Sequence, residues 1–170
     1  MEIGIGTISE LIKNGKLSKN IILKICDDLY GLTDSACKGD YPRHRSWFYQ
    51  KHLPAVLTPD SGRDIIYAVK SETGEYIGTA FTKKDREERK ICTLFVDEKM
   101  RSQGVGPKPF EKCFDILETT KPMATLTDHR LSIFEGIIKN YGWEQKQDVK
   151  GFYNDKHSEL VYNGQLKLDE

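Results

Sequence analysis

Two glycines and an arginine form the most informative group in this sequence, in the run Arg101-Ser102-Gln103-Gly104-Val105-Gly106. An apolar segment, 91–96, precedes the run, and a segment with helical spacing, 108–117, follows it. A strand, a glycine turn and a helix in this order present backbone N–H groups at a helix start, where they can bind phosphate. The glycines allow close approach to the backbone, and the Arg101 guanidinium can pair with a phosphate. The run therefore predicts a site for a phosphate-bearing cofactor.

Other phosphate-binding patterns fit the run less well. A dinucleotide site requires Gly-x-Gly-x-x-Gly, but the third glycine position is Pro109. A nucleoside triphosphate loop requires Gly-Lys-Ser or Gly-Lys-Thr, and the chain contains neither. The run does match Arg/Gln-x-x-Gly-x-Gly/Ala, and it thereby resembles the acetyl-CoA pyrophosphate loop of the GNAT superfamily of N-acetyltransferases. The alternative is an ordinary strand-to-helix turn that needs glycine for its geometry.

Length and charge narrow the class of protein. The chain has 170 residues, which suits one domain with its own core. Its 26 basic and 26 acidic residues give a formal net charge of zero, which argues against a dedicated nucleic-acid binder. It contains no apolar run long enough to span a bilayer, and its N-terminus lacks an export signal. We therefore expect a cytoplasmic protein without nucleic-acid or membrane partners.

The cysteines and histidines indicate neither disulfides nor a metal. The four cysteines are scattered and form no Cys-x-x-Cys pair, so reduced thiols are expected. The four histidines show no zinc-type spacing with one another or with cysteine. We predict that the protein binds no metal.

Hydrophobic periodicity and turn residues predict the elements that position the glycine run. In chain order these are a strand within 2–12, helices at 17–32 and 41–57, strands at 64–70, 76–82 and 91–96, a helix at 108–117, a strand at 123–127, a helix at 131–141, and closing strands at 143–149 and 159–166. This order, β-α-α-β-β-β-α-β-α-β-β, also resembles the GNAT fold, and Gly142-Trp143 is similar to the family's helix-end Gly-Phe. The resemblance implies a mixed α/β class, with one GNAT-like domain over 1–170 and a mostly antiparallel mixed sheet flanked by helices.

The resemblance assigns cofactor contacts by position. Backbone groups at the end of the central strand would pair with the pantetheine arm of acetyl-CoA, and N–H groups of the glycine run would hold the pyrophosphate. Lys108 could reach a phosphate or lie solvated on its helix. The expected cofactor residues are Phe95, Val96, Arg101, Ser102, Gln103, Gly104, Val105, Gly106 and Lys108. Pro107 departs from the pattern, because proline removes one N–H donor from the cradle.

The usual acid and base of the family are not visible in this sequence. The position of the family's tyrosine, which protonates the departing thiolate, corresponds to Ile138, and the strand position of a glutamate base lies near Ile91. Three substitutes are the candidate catalytic residues, Tyr141, Tyr153 and Thr93. Thr93 and its neighbour Cys92 alternate on a strand, so one of them should face the cleft.

The segment 41–49 is dense in basic and aromatic groups. In the fold that this sequence resembles, the second helix borders the acceptor site, which makes Arg43 and His44 candidate substrate-binding residues. The alternative is that the aromatic residues are core and the arginines are solvated.

Two functions follow from the resemblance. One is an N-acetyltransferase that moves an acetyl group from acetyl-CoA to a small-molecule or peptide amine by direct attack in a ternary complex. The other is a non-catalytic acyl-CoA-binding sensor or interaction module. A third interpretation, a different α/β domain with a structural glycine turn, predicts no cofactor binding. Relatives often form dimers, so the resemblance also implies a possible homodimer.

Overall fold

One mixed sheet organises the protein, with its strands in the spatial order β1-β2-β3-β4-β5-β7-β6. The computed structural model describes residues 2–37, 39–101 and 107–166. The strands are β1 (Ile3–Thr7), β2 (Arg63–Lys70), β3 (Tyr76–Lys84), β4 (Arg89–Val96), β5 (Met123–Thr127), β6 (Gln145–Lys150) and β7 (Ser158–Tyr162). Neighbouring strands are antiparallel except β4 and β5, which are parallel.

Helices lie on both faces of the sheet. They are α1 (Ile8–Asn14), α2 (Lys19–Cys37), α3 (His44–Trp47), a π-helical turn (Phe48–His52), α4 (Leu53–Val56), α5 (Glu98–Arg101), α6 (Pro107–Leu117), a 3₁₀ turn (Asp128–Arg130) and α7 (Leu131–Tyr141). The mixed α/β class and the predicted order of the main elements are confirmed. No helix in the described ranges is long and apolar enough to cross a membrane.

Helix α1 is absent from the sequence prediction, although the sequence carries a signal for it. Thr7 caps the helix, since its hydroxyl accepts from the Glu10 N–H, and the Glu10 carboxylate accepts from the Thr7 N–H. This capping box satisfies two backbone donors that a helix start leaves without partners. The pattern Thr-x-x-Glu would have located the helix.

The predicted helix at 41–57 is interrupted. Leu53 donates its N–H to the Phe48 carbonyl, five residues back, which makes 48–52 a turn of π-helix. Pro54 follows directly and has no N–H to continue an α-helical ladder. The wider turn lies where the proline interrupts the ordinary pattern of hydrogen bonds.

Two clusters of buried side chains fill the two faces of the sheet. Neighbouring residues of a strand point to opposite faces, so Ile66 packs with Phe110 and Trp143, whereas Ile65 packs with Phe48 and α2. The first cluster lies beneath α6 and α7, and the second lies beneath α2 and the π-helical turn. Strand β4 therefore runs between two packed helical layers.

The buried imidazole of His52 is expected to make the protein acid-labile. Arg63 can only donate to His52 Nδ1 (3.2 Å), so His52 is the neutral tautomer that donates from Nε2 to the Asp64 carbonyl (3.1 Å). Burial, followed by the charge of Arg63, lowers the pKa of His52 from 6.5 to about 3. The unfolded chain therefore binds a proton that the folded chain does not, and the free energy of unfolding should fall as pH drops from 6.5 towards 3.

Urea unfolding of the wild type and of His52→Gln, measured across this pH range, checks the expectation. Glutamine can still donate to the Asp64 carbonyl and accept from Arg63, but it does not titrate. The variant should show a flatter dependence on pH. Equal pH dependence in the two proteins would mean that His52 contributes nothing to acid lability.

Candidate active site

The sheet opens between β4 and β5. Their parallel ladder joins Lys90 to Met123 and Ile91 to Ala124, and it ends there. Beyond that point β4 remains paired with β3, while β5 is paired with β7. The two strands part and leave a cleft in the middle of the sheet. Its lining consists of Cys37, Tyr41, Ile91, Cys92, Thr93, Leu94, Phe110, Ala124, Thr125, Leu126, Thr127, Arg130, Phe134 and Trp143.

The backbone of β4 faces this cleft at alternate residues. The N–H of Asp97 donates to the Ile77 carbonyl of β3 at 2.8 Å. Because the peptide groups of a strand alternate between its two edges, those of Phe95 also point to β3. The peptide groups of Leu94 and Val96 therefore point to the other edge of β4, on the side of the cleft. Of the two residues predicted to pair with the pantetheine arm, Val96 has its backbone directed suitably, and Leu94 is a better candidate than Phe95.

A β-bulge shapes the wall formed by β4. Phe81 of β3 lies opposite Thr93, but the next residue, Thr82, lies opposite Ile91, so Cys92 is the extra residue. The bulge breaks the strict alternation of side chains. As a result both Cys92 and Thr93 line the cleft, whereas regular alternation predicts only one of them. Burial raises the pKa of the Cys92 thiol, which disfavours the thiolate that a covalent mechanism would need.

Tyr41 and Glu159 form a hydrogen-bonded pair at the cleft. The Tyr41 hydroxyl donates to Glu159 Oε1 at 2.7 Å, and Tyr41 also lines the cleft. Glu159 lies on β7 opposite Thr127 and is only 2% exposed. Burial raises the pKa of the Glu159 carboxyl above its ordinary 4.5. Burial, followed by the charge of Glu159, raises the pKa of Tyr41 well above its usual range.

A second buried carboxylate, Asp40, has partners of its own. Arg130, which lines the cleft, bonds Asp40 Oδ2 through Nε at 2.9 Å, and the Thr127 hydroxyl donates to the same oxygen at 3.3 Å. His129 Nε2 lies 3.3 Å from the other oxygen, Oδ1. The positive charge of the Arg130 guanidinium therefore balances the negative charge of the buried Asp40 carboxylate. Arg130 also donates to the Ala36 carbonyl, which connects the end of β5 to the end of α2.

The predicted catalytic residues lie in different surroundings. Thr93 is half-buried in the cleft wall. Tyr153, in the loop between β6 and β7, forms a T-shaped ring contact with Tyr41, with the ring centroids 5.1 Å apart. Tyr141 ends α7 and packs against Phe114, with the ring centroids 4.7 Å apart, and it is not among the residues that line the cleft. The fold brings Thr93 and Tyr153 to the cleft and its border, but not Tyr141.

Neither predicted acceptor-binding residue faces the cleft. Arg43 is exposed and precedes α3. His44 is buried in the aromatic cluster, where its ring stacks on Tyr30 at 5.4 Å. The Thr33 hydroxyl donates to the Tyr30 carbonyl, so it must accept from His44 Nε2 at 2.8 Å. Burial lowers the pKa of His44, which keeps the ring neutral. This placement favours the core interpretation of His44.

The predicted phosphate loop lies mostly beyond what the structure describes. Arg101 is the last residue of α5. Ser102, Gln103, Gly104, Val105 and Gly106 lie outside the described residues. Helix α6 begins at Pro107, and Lys108 is exposed in its first turn. A helix start does follow β4, as predicted, but the cradle itself stays a prediction.

Polar side chains also meet where β5 ends and β7 begins. Asp128, His129 and His157 place potential ligand atoms within 4.8 Å of one another. The His157 ring nitrogen Nδ1 lies 2.8 Å from the Asp128 carboxylate, and the Ser158 N–H donates to that carboxylate at 3.1 Å. These side chains are partly or largely exposed and partner one another. We assign no metal to them, and the prediction that none binds stays a prediction.

Comparison with known proteins finds the fold but no close relative by sequence. Neither a protein-family profile nor a curated protein matches the chain. Among solved structures, a GNAT-family protein from Desulfovibrio desulfuricans aligns with a TM-score of 0.63 and 11% identity, over 98% of this chain and 99% of that one. The NatC complex bound to Gag peptide and CoA aligns with a TM-score of 0.64 and 17% identity, over 95% and 97%.

Nourseothricin acetyltransferase aligns less completely, with a TM-score of 0.53 and 13% identity. This chain spans 66% of its length, and the alignment covers 62% of this chain. All three structures share the arrangement predicted from the sequence, at identities that establish the fold alone. The chain therefore has the fold of the GNAT acetyltransferases.

Proposed function

We propose that this protein is an N-acetyltransferase that moves an acetyl group from acetyl-CoA to a primary amine by direct attack in a ternary complex. The observation that carries the proposal is the cleft between β4 and β5, where one wall presents backbone groups and the other presents the Tyr41–Glu159 pair. The NatC structure, which contains CoA and a peptide, has the same fold and supports this function. We infer that the acceptor is a small-molecule or peptide amine.

In the proposed complex, the pantetheine arm lies along β4 and acts as a short added strand. The backbone groups of Leu94 and Val96 bond it, and the N–H groups of 103–106 hold the pyrophosphate, with Arg101 and Lys108 nearby. The thioester then lies in the cleft beside Thr93. The amine enters from the side of Tyr41 and Tyr153 and attacks the carbonyl carbon directly, because the Cys92 thiol stays protonated.

A non-catalytic acyl-CoA-binding module is the second candidate. The apolar residues Ile91 and Ile138, at the positions of the family's base and acid, favour it. Both candidates require the cofactor to bind, and only the first predicts turnover. An acetylation assay with a panel of amines, monitored through the release of CoA, separates the two candidates. We expect turnover with at least one amine, and binding without any turnover would favour the module.

Calorimetric titration with acetyl-CoA is the first test, with Gly104→Glu as the variant. We expect micromolar binding to the wild type and none to the variant, because glutamate places a bulky anion where pyrophosphate should lie. The matched control is Gly136→Glu, which adds the same charge at an exposed glycine with nothing near its added Cβ. This control should bind like the wild type. No binding to the wild type would refute the proposed function.

A further inference from the structure

We propose that the buried Glu159 carboxylate receives the proton of the acceptor amine, through the Tyr41 hydroxyl. The proposal rests on the proposed function and supplies the acid–base groups that are absent from the positions of Ile91 and Ile138. Its starting observation is the contact between a side chain in the cleft wall and a carboxylate behind that wall.

Geometry places Tyr41 between the cleft and Glu159. The residue lies in the turn after α2, where its N–H donates to the Cys37 carbonyl at 2.6 Å. Its hydroxyl donates to Glu159 Oε1 at 2.7 Å, which leaves the oxygen's lone pairs able to accept a proton from the cleft side. A tyrosine oxygen that gives its own proton to a carboxylate while accepting another can relay a proton in one step.

Burial and charge suit Glu159 to this role. The groups that face it are the Tyr41 hydroxyl, the Thr125 hydroxyl, the Asp40 carboxylate and, from β4, the Lys90 ammonium. The Asp40 carboxylate is itself paired with Arg130 at 2.9 Å. With burial as the largest cause, the pKa of Glu159 lies above the ordinary 4.5, which makes its carboxylate a stronger base than an exposed glutamate.

Acetyl transfer by this route conserves protons and electrons. The amine nitrogen forms a bond to the thioester carbonyl carbon, and the carbon–sulfur bond then breaks to release CoA thiolate. The proton lost by nitrogen moves to the Tyr41 oxygen as the Tyr41 proton moves to Glu159 Oε1. Protonated Glu159 returns its proton through Tyr41 to the thiolate, which leaves amide, CoA thiol and the original carboxylate.

Glu159→Gln tests the proposal, because glutamine still offers Tyr41 an oxygen acceptor but is not basic at neutral pH. We expect kcat to fall by about 100-fold or more, within the range for loss of a general base. The Kd for acetyl-CoA should stay within about twofold of wild type. Removal of a buried charge should leave the thermal midpoint unchanged or higher. The matched control, Glu135→Gln on an exposed glutamate of α7, should keep kcat.

The pH profile adds a readout that a structural role would not change. Wild-type kcat should fall as pH drops through a pKa above 4.5, and this limb should be absent from Glu159→Gln. Tyr41→Phe keeps the ring and removes the relay, so it should lower kcat at least about tenfold, and it tests the proposal if the first variant does not fold. Wild-type turnover with an unimpaired Glu159→Gln would overturn this inference alone. No wild-type turnover with any amine would overturn the proposed function as well.

Discussion

Replacement of Thr93 with tryptophan is expected to weaken acetyl-CoA binding by at least about 100-fold, which corresponds to about 2.7 kcal/mol. Thr93 is half-buried in the wall of the cleft and is held there by the ladder between β4 and β3. An indole at this position would occupy the space that the proposed thioester arm requires. The β3–β4 ladder uses backbone groups, so the sheet should still form. Titration calorimetry measures the affinity, and circular dichroism checks the fold.

Thr93→Val is the control for Thr93→Trp, because it keeps the volume of the side chain. It has almost the size of threonine but lacks the hydroxyl, so it also tests the predicted catalytic role of Thr93. In the proposed reaction the proton passes through Tyr41, and we therefore expect Kd and kcat to remain within about threefold of wild type. Normal affinity in Thr93→Trp would refute the placement of the cofactor in this cleft. A large loss of kcat in Thr93→Val would make Thr93 a catalytic residue.

Gly62→Ala is expected to reduce the free energy of unfolding by about 3 kcal/mol or more. Gly62 has a φ of +81° and directly precedes β2, where its carbonyl accepts the Lys84 N–H at 2.7 Å. A Cβ on Gly62 would lie 2.0 Å from the Lys84 carbonyl oxygen. The clash is with backbone, so side-chain rotation cannot relieve it, and the β2–β3 ladder would have to shift.

Gly15→Ala separates the clash from the cost of a positive φ. Gly15 ends α1 with a φ of +66°, but its added Cβ would have nothing within 4 Å. Replacing Gly15 with alanine should reduce the free energy of unfolding by only about 1 kcal/mol. Urea unfolding of both variants gives the comparison. Equal losses in the two variants would show that the approach to Lys84 contributes little to stability.

The elements predicted most accurately are those with a clear hydrophobic periodicity and with a proline or glycine at an end. Strand β5 and helix α7 have the predicted bounds, because Pro122 precedes the strand and Gly142, with a φ of +65°, closes the helix. The interruption before Pro54 was not predicted, since hydrophobic spacing does not distinguish a π-helical turn from an α-helix. Local signals therefore predicted where most elements lie and how they follow one another.

The candidate acid–base pair could not be found in this way. Tyr41 and Glu159 are 118 residues apart and become neighbours only when β7 pairs with β5. Before folding, Glu159 is one of many charged residues, and only its burial distinguishes it. His44 illustrates the opposite case, because a titratable residue in a promising segment proves to be packed among aromatic rings. Periodicity describes local faces, whereas these sites depend on contacts between distant segments.

The short ladder between β4 and β5 has a mechanical consequence. Strands β1 to β4 form one continuous antiparallel ribbon, and β5, β7 and β6 form another. Within the described residues, the β4–β5 ladder that joins the two ribbons contains only the pairs Lys90–Met123 and Ile91–Ala124. The ladders within each ribbon are longer, so we expect the sheet to deform most easily along the line where the two ribbons separate. A small rotation of one ribbon against the other would change the width of the cleft while the hydrogen bonds within each ribbon stay intact.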